Sequence, residues 1–281
     1  MKPTTITKCL AGALALGAAF ASASTLASPE EDREAFVKYY AAKLPNVKFE
    51  DYVYGALALD AGSKAQYDAI MEFPPFDSQV EAGRKMWETP LKSGKKYADC
   101  LPNGGKNIAG NYPMFDEAKG KVVTLHDAIN DCRIANGEEA YKLNDMKNLG
   151  TLTAYMRTLS DGMRMNIKVD GPKALEAFND GKKTFFSRKG QLNFACASCH
   201  VQNGGNYLRS ELISPALGHA VHWPVFRGGD TLVTLQQRYT GCFSQVRAVP
   251  PPQGSTTMNN LEYFHSYISN GLPLKASVFR K

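Results

Sequence analysis

Two stretches of this chain read alike in the same order, and that repeat constrains the fold more than any other feature. The first runs Gly83-Arg84-Lys85-Met86-Trp87, Cys100-Leu101-Pro102-Asn103-Gly104-Gly105, Tyr112-Pro113-Met114-Phe115, Val123-Thr124-Leu125 and Cys132-Arg133. The second runs Gly181-Lys182-Lys183-Thr184-Phe185, Cys199-His200-Val201-Gln202-Asn203-Gly204-Gly205, Trp223-Pro224-Val225-Phe226, Val233-Thr234-Leu235 and Cys242. Each closes on an aromatic-rich helical pattern that stops at glycine, Leu152–Asp161 before Gly162 and Leu261–Asn270 before Gly271. Glycine just past the last periodic residue is a helix stop. The expectation is two copies of one small unit.

Only the second copy contains Cys196-Ala197-Ser198-Cys199-His200. C-x-x-C-H is the attachment motif of c-type haem: two thioether bonds hold the porphyrin and the adjacent histidine ligates the iron. One short turn of backbone must supply all three groups, which is why the spacing is so tight. A zinc half-site would need a second matching pair, and a thioredoxin-like redox pair would need a βαβ context. Neither is present in the sequence. The reading is one covalently bound haem c on Cys196 and Cys199, with His200 as an axial ligand.

The one long apolar run, Cys9–Ala23, follows Lys2 and Lys8 and ends in small residues. That is the layout of an export signal. Residues 1–27 are read as a signal peptide cleaved near residues 23–28, which places the mature chain in the periplasm. No later run approaches the roughly 20 apolar residues of a membrane span. With 14 Phe, 13 Tyr and 2 Trp, a natively unfolded chain is excluded. Cleavage removes Lys2 and Lys8 and no acid, taking the net charge from +6 to +4. Mild basicity suits anionic substrates without requiring nucleic acid.

Without Cys9, five cysteines remain, and Cys100, Cys132 and Cys242 are uncommitted. In the repeat, Cys132 occupies the position of Cys242 and Cys100 roughly that of Cys199. The first copy keeps the outline of a haem unit but has lost one cysteine and the histidine. An oxidising compartment favours pairing, so a Cys100–Cys132 disulfide is expected, worth about 3–4 kcal/mol in the chain-entropy model. Cys242 is then the leading candidate for the sixth iron ligand, with Met258, His219, His222 and His265 as rivals. A helix over Thr231–Gly241 puts Arg238 and Cys242 at i, i+4 on one face, and Arg247 follows within a turn's reach. Guanidinium groups lower a thiol pKa and grip oxyanions in a bidentate manner.

The Cys196–His200 motif, the Arg238-Tyr239-Thr240-Gly241-Cys242 segment and the paired halves together resemble the SoxA family, catalytic cytochrome subunits of bacterial thiosulfate oxidation. The resemblance covers nearly all of the mature chain. It implies that Cys242 is both distal ligand and catalytic cysteine, often carried as a persulfide, and that Arg238 binds substrate. It also implies a small SoxX-like cytochrome as heterodimer partner and a SoxYZ-like carrier thiol as acceptor. No C-x-x-C-H stands at Cys100, so the chain looks like the single-haem form. The implied activity is that of an L-cysteine S-thiosulfotransferase. Joining thiosulfate to a thiol releases two electrons while one haem takes one, so a second acceptor is needed. A plain electron-transfer cytochrome c, a c-type sensor or binding module in which Cys242 reports ligand or redox state, and a thiosulfate dehydrogenase forming tetrathionate remain open alternatives.

The expected fold class is mainly α, with two cytochrome c-like domains from an internal duplication. The boundaries are an N-terminal helical arm over 28–80, a haem-less domain over 81–170 and a haem-binding domain over 171–281. Helices are expected over Glu30–Lys43, Lys121–Ala135, Met146–Asp161, Pro172–Phe186, Thr231–Gly241 and Met258–Asn270. Short hairpins are expected around Val47–Leu59, a linker at Gly171-Pro172, and a loop at Pro250–Gly254.

Overall fold

A computed structural model describes residues 27–280. The expected leader lies outside the described residues, apart from its last position. No described helix is long and apolar enough to cross a membrane.

The chain opens with α1, Pro29–Lys43. Its start is written locally: Ser28 and Glu31 form a reciprocal capping box, Pro29 sits in the first turn, and Glu30 to Asp32 face the positive end of the helix dipole. It buries Phe36 and Tyr40. Residues Phe49–Leu59 form 3₁₀ turns broken at Gly55, which has φ 59°. The hairpins expected there are absent because local i→i+3 bonds take the backbone and no strand lies alongside. Helix α2 follows over Ala61–Glu72.

From here the elements come twice. Helix α3, Asp77–Glu88, crosses α5, Thr151–Thr158, and α6, Pro172–Phe186, crosses α8, Thr256–Tyr267. Both crossings are closed by glycine. A Cβ on Gly83 would land on the Thr151 carbonyl oxygen, and one on Gly181 on that of Asn260. Between the crossing helices, each half has an antiparallel hairpin feeding a third helix. Strands β1, Met114–Asp116, and β2, Lys121–Val123, lead to α4, Leu125–Ala135. The small β3–β4 pair, Tyr207–Leu208 with Glu211–Leu212, belongs to the second half alone. Then β5, Val225–Arg227, and β6, Thr231–Val233, lead to α7, Leu235–Gln245. A cis peptide precedes each hairpin, at Tyr112–Pro113 and Trp223–Pro224. The C-terminal β7, Val278–Arg280, adds in parallel to β5.

These hairpins correct two expected helices. Lys121–Ala135 and Thr231–Gly241 each begin as a strand, because the apolar residues before the threonine pair across the hairpin. Thr124 and Thr234 then cap the helix by accepting from the N–H groups of Asp127 and Gln237. Helix α7 also runs past Gly241 to Gln245, so Cys242 lies inside it. One interior glycine costs a helix only about 1 kcal/mol. The Met146–Asp161 segment starts as a wide turn, Met146–Gly150, before α5. The last helix starts two residues earlier than expected, where Ser255 caps it.

The halves share one apolar core. Ile129, Leu149 and Met156 of the first half and Phe178, Phe185 and Phe264 of the second belong to a single cluster. Arg157 donates to the Val221 carbonyl at 3.1 Å and Asn259 to the Val122 carbonyl at 3.1 Å, each across the junction.

Candidate functional site

Cys196, Cys199, His200, Arg238 and Cys242 all line one cavity, with about 830 Å³ of empty space when solvent at its edge is included. Phe185, Ile213, Tyr239, Phe243 and Val246 supply apolar wall. Helix α7 brings in the arginine and the third cysteine one turn apart, as the i, i+4 spacing requires. The three thiols are free.

The motif turn is held rigidly. Ser198 Oγ accepts from Ala195 N at 3.1 Å, and Asn203 donates to the Ser198 carbonyl at 2.8 Å. His200 Nδ1 donates to the Ser214 carbonyl at 2.9 Å, which fixes the tautomer and leaves Nε2 with its lone pair for a metal. Burial holds the His200 imidazole below its usual pKa, so it stays neutral. Helix α1 clamps the same turn. Tyr40 donates to the His200 carbonyl and accepts from Ala216 N, while Lys43 donates to the carbonyls of Val201 at 3.0 Å and Gln202 at 2.6 Å. Sequence reasoning missed these clamps, because nothing local in a tyrosine 160 residues away signals its partner.

Position or hydrogen bonding separates the rival ligands except His219, which lines the cavity with a buried Nδ1 that has no partner. Met258 is fully buried core and is not in the cavity wall. His265 lines the cavity, but both ring nitrogens are engaged: Nδ1 accepts from Tyr239 Oη at 2.8 Å and Nε2 donates to the Ala216 carbonyl at 3.2 Å. His219 packs beside His200 with ring centroids 4.8 Å apart. His222 lies behind it, outside the wall.

The residues fit a haem c. Two free thiols and a neutral histidine with one open nitrogen come from a single turn, and the wall of the wide cavity is apolar. Cys242, across the sequence on α7, offers a soft ligand to the same space. Burial pushes the Cys242 thiol up, with Arg238 opposing. The expected arginine-lowered thiol is thus corrected for the chain alone: desolvation outweighs one guanidinium, and only coordination would strip the proton outright. Burial likewise pushes Cys196 up to about 11. Arg247 stands apart, exposed at φ 57° and outside the cavity wall, although its neighbour Val246 is part of it.

Cys100 and Cys132 form a disulfide across 32 residues, with Cα atoms 5.8 Å apart. Cys132 sits on α4 where Cys242 sits on α7. Asn136 donates to the Cys132 carbonyl at 2.7 Å and steadies the bridge.

Comparison with known proteins places the chain in a family. A family profile described as the SoxA/TsdA cytochrome c domain matches residues 82–165, the half without the attachment motif. The L-cysteine S-thiosulfotransferase subunit SoxA of Allochromatium vinosum is 42% identical over 92% of this chain and 92% of its own. That of Chlorobaculum tepidum is 41% identical over 90% of this chain and 88% of its own. The crystal structure of SoxXA from P. pantotrophus superposes with a TM-score of 0.67 at 28% identity, covering 74% of this chain and 79% of that one. With relatives this similar over nine-tenths of its length, the chain belongs to the SoxA family.

Proposed function

We propose that this chain is the single-haem catalytic subunit of a periplasmic L-cysteine S-thiosulfotransferase, exported by residues 1–27. It would couple thiosulfate oxidatively to a cysteine thiol of a SoxYZ-like carrier. The observation that carries this reading is the meeting of Cys196, Cys199, His200, Arg238 and Cys242 around one cavity. In it, Cys196 and Cys199 would hold the macrocycle covalently, and His200 Nε2 and Cys242 Sγ would be the groups offered to its iron.

The net change is R–SH + S₂O₃²⁻ → R–S–S–SO₃⁻ + H⁺ + 2e⁻, one sulfur–sulfur bond formed and one thiol proton released. Bound haem c supplies a one-electron acceptor beside the reacting sulfur. The second electron requires a second acceptor, and a SoxX-like cytochrome as heterodimer partner meets that need. Arg238 grips the sulfonate end of thiosulfate and turns its terminal sulfur toward Cys242. Arg247, exposed beyond the wall, acts on the anion only as it approaches. Cys242 Sγ, or an outer sulfur that it carries, would present the reacting sulfur beside Arg238.

On the same reading, the halves descend from a duplicated cytochrome c domain. Residues 28–80 form the arm, 81–170 the unit that lost its haem, and 171–281 the unit that kept it. The test is Cys242→Ala in the full complex. Covalent haem should remain, the oxidised visible spectrum should lose its thiolate signature, and thiosulfate transfer should fall to background. Native spectrum and activity in that variant overturn the assignment.

A further inference from the structure

A second hollow lies on the junction of the two halves, away from Cys242, with about 460 Å³ of empty space including solvent at its edge. Its wall takes matched positions from each half: His126 with Gln236, Thr153 with Glu262, and Arg157 with Ser266. The pairing follows from the two glycine crossings, which set Thr151 against Asn260. At each matched pair the chemistry differs. The cation comes from the first half and the carboxyl from the second.

Arg157 is only 7% exposed, and its Nε has no partner. One terminal nitrogen donates to the Val221 carbonyl at 3.1 Å. No carboxylate among the described residues comes within ion-pair distance of it. A buried guanidinium with a free donor and no counter-ion is costly unless something accepts from it. Opposite stands Glu262, which accepts from Gln236 Nε2 at 2.9 Å. Burial, with Asp127 adding to it, pushes Glu262 up to about 7, against the opposing influence of Gln236 and Arg157. His126, also in the wall, is pushed down to about 4 by burial and carries no charge near neutrality. Around the hollow, then, are a cation with a spare N–H, a carboxyl able to donate and the hydroxyl of Ser266. These groups can each donate to an acceptor in the hollow, and Arg157 repels any cation.

We propose that this junctional cavity binds a small tetrahedral oxyanion of the sulfate type, held by the Arg157 guanidinium from one half and by Glu262 and Ser266 from the other. The site is separate from the sulfur-transfer cavity. Its occupant ties the two halves together through charge-assisted hydrogen bonds.

The test uses the haem-loaded full chain with its partner cytochrome, in chloride buffer at fixed ionic strength, titrated with inorganic sulfate. One saturable site should appear by calorimetry, and the unfolding midpoint should rise by about 5 °C at a hundredfold excess over Kd. The haem spectrum should not change. Arg157→Met keeps the apolar stem and should abolish the shift. Glu262→Gln keeps a donor and should retain it. Where Arg157→Met fails to fold, the wild-type protein still decides: a crystal soaked in selenate should give an anomalous peak within hydrogen-bond distance of the Arg157 guanidinium. No saturable binding, an unchanged shift in Arg157→Met, water alone in the soaked cavity, or a peak only beside Arg238 overturns the proposal.

Discussion

The same scaffold is finished in two different ways in the two halves. Both have a glycine-closed helix crossing, a hairpin, and a threonine-capped helix carrying a cysteine near its end. In the second half, α7 presents Arg238, Tyr239 and Cys242 to an open cavity. In the first, the corresponding stretch of α4 presents Ala128, Ile129 and Cys132, and Cys132 is tied to Cys100. Where Phe185 and His265 wall the cavity, Trp87 and Met156 are buried in core. Trp87 stacks on Tyr97 at 5.7 Å, and Arg133 donates to Tyr97 Oη at 2.8 Å while lying over Tyr141 at 3.5 Å. A helix pair can thus enclose a cofactor or close on its own side chains. What decides is whether the cysteine-bearing turn offers a ligand or a cross-link.

The largest effect that would break this comparison is removal of the bridge. Cys100→Ala with Cys132→Ala should lower the unfolding free energy by about 3–4 kcal/mol, since a loop of about 30 residues is no longer closed in the unfolded chain. Denaturant titration of the haem-loaded protein reads it, with attached haem and visible spectrum unchanged. A spectral change would mean that the bridge serves the second half as well.

Arg238→Lys sharpens the comparison from the other side, because the first half has only Ala128 there. Lysine keeps the charge but loses the planar fork. The loss of a charge-assisted hydrogen bond, about 1.5–3 kcal/mol, should lower kcat/KM for thiosulfate roughly tenfold to a hundredfold. Electron exchange with the partner cytochrome should be unaffected, and stopped-flow mixing of the two proteins measures it separately.

The smallest effect concerns the crossings. Gly181→Ala and Gly83→Ala should each destabilise by about 1–3 kcal/mol, because the added methyl meets a backbone carbonyl rather than a side chain that can swing away. Gly181→Ala should in addition shift the haem spectrum, since α6 carries Phe185 into the cavity wall. Thermal unfolding followed both at the haem and in the far ultraviolet would separate the two variants. Equal spectra would argue that the second half is no more coupled to its crossing than the first.

Much of the site was legible in advance, because its signals are short-range. The C-x-x-C-H turn and the i, i+4 step from Arg238 to Cys242 each lie within five residues. Helix α6 was legible to the residue, since Pro172 starts it and the apolar period runs unbroken to Phe186. The strands β2 and β6 were not, because a three-residue strand is defined by its partner across the hairpin. The 3₁₀ turns over Phe49–Leu59 stand where short hairpins were expected.

By itself, then, the sequence determined the repeated pattern, the C-x-x-C-H turn, the odd cysteine and the cysteine pair left to cross-link. All of these are matters of covalent chemistry and spacing. Only the tertiary structure decided that both ring nitrogens of His265 were already spent on hydrogen bonds, that Tyr40 and Lys43 of α1 clamp the His200 turn, and that Arg247 stays outside the cavity wall. It alone set Arg157 against Glu262 across the junction. The physical reason is that burial and pairing depend on what packs from far along the chain. A residue's pKa, its spare hydrogen-bonding capacity and its access to a cavity are properties of that packing.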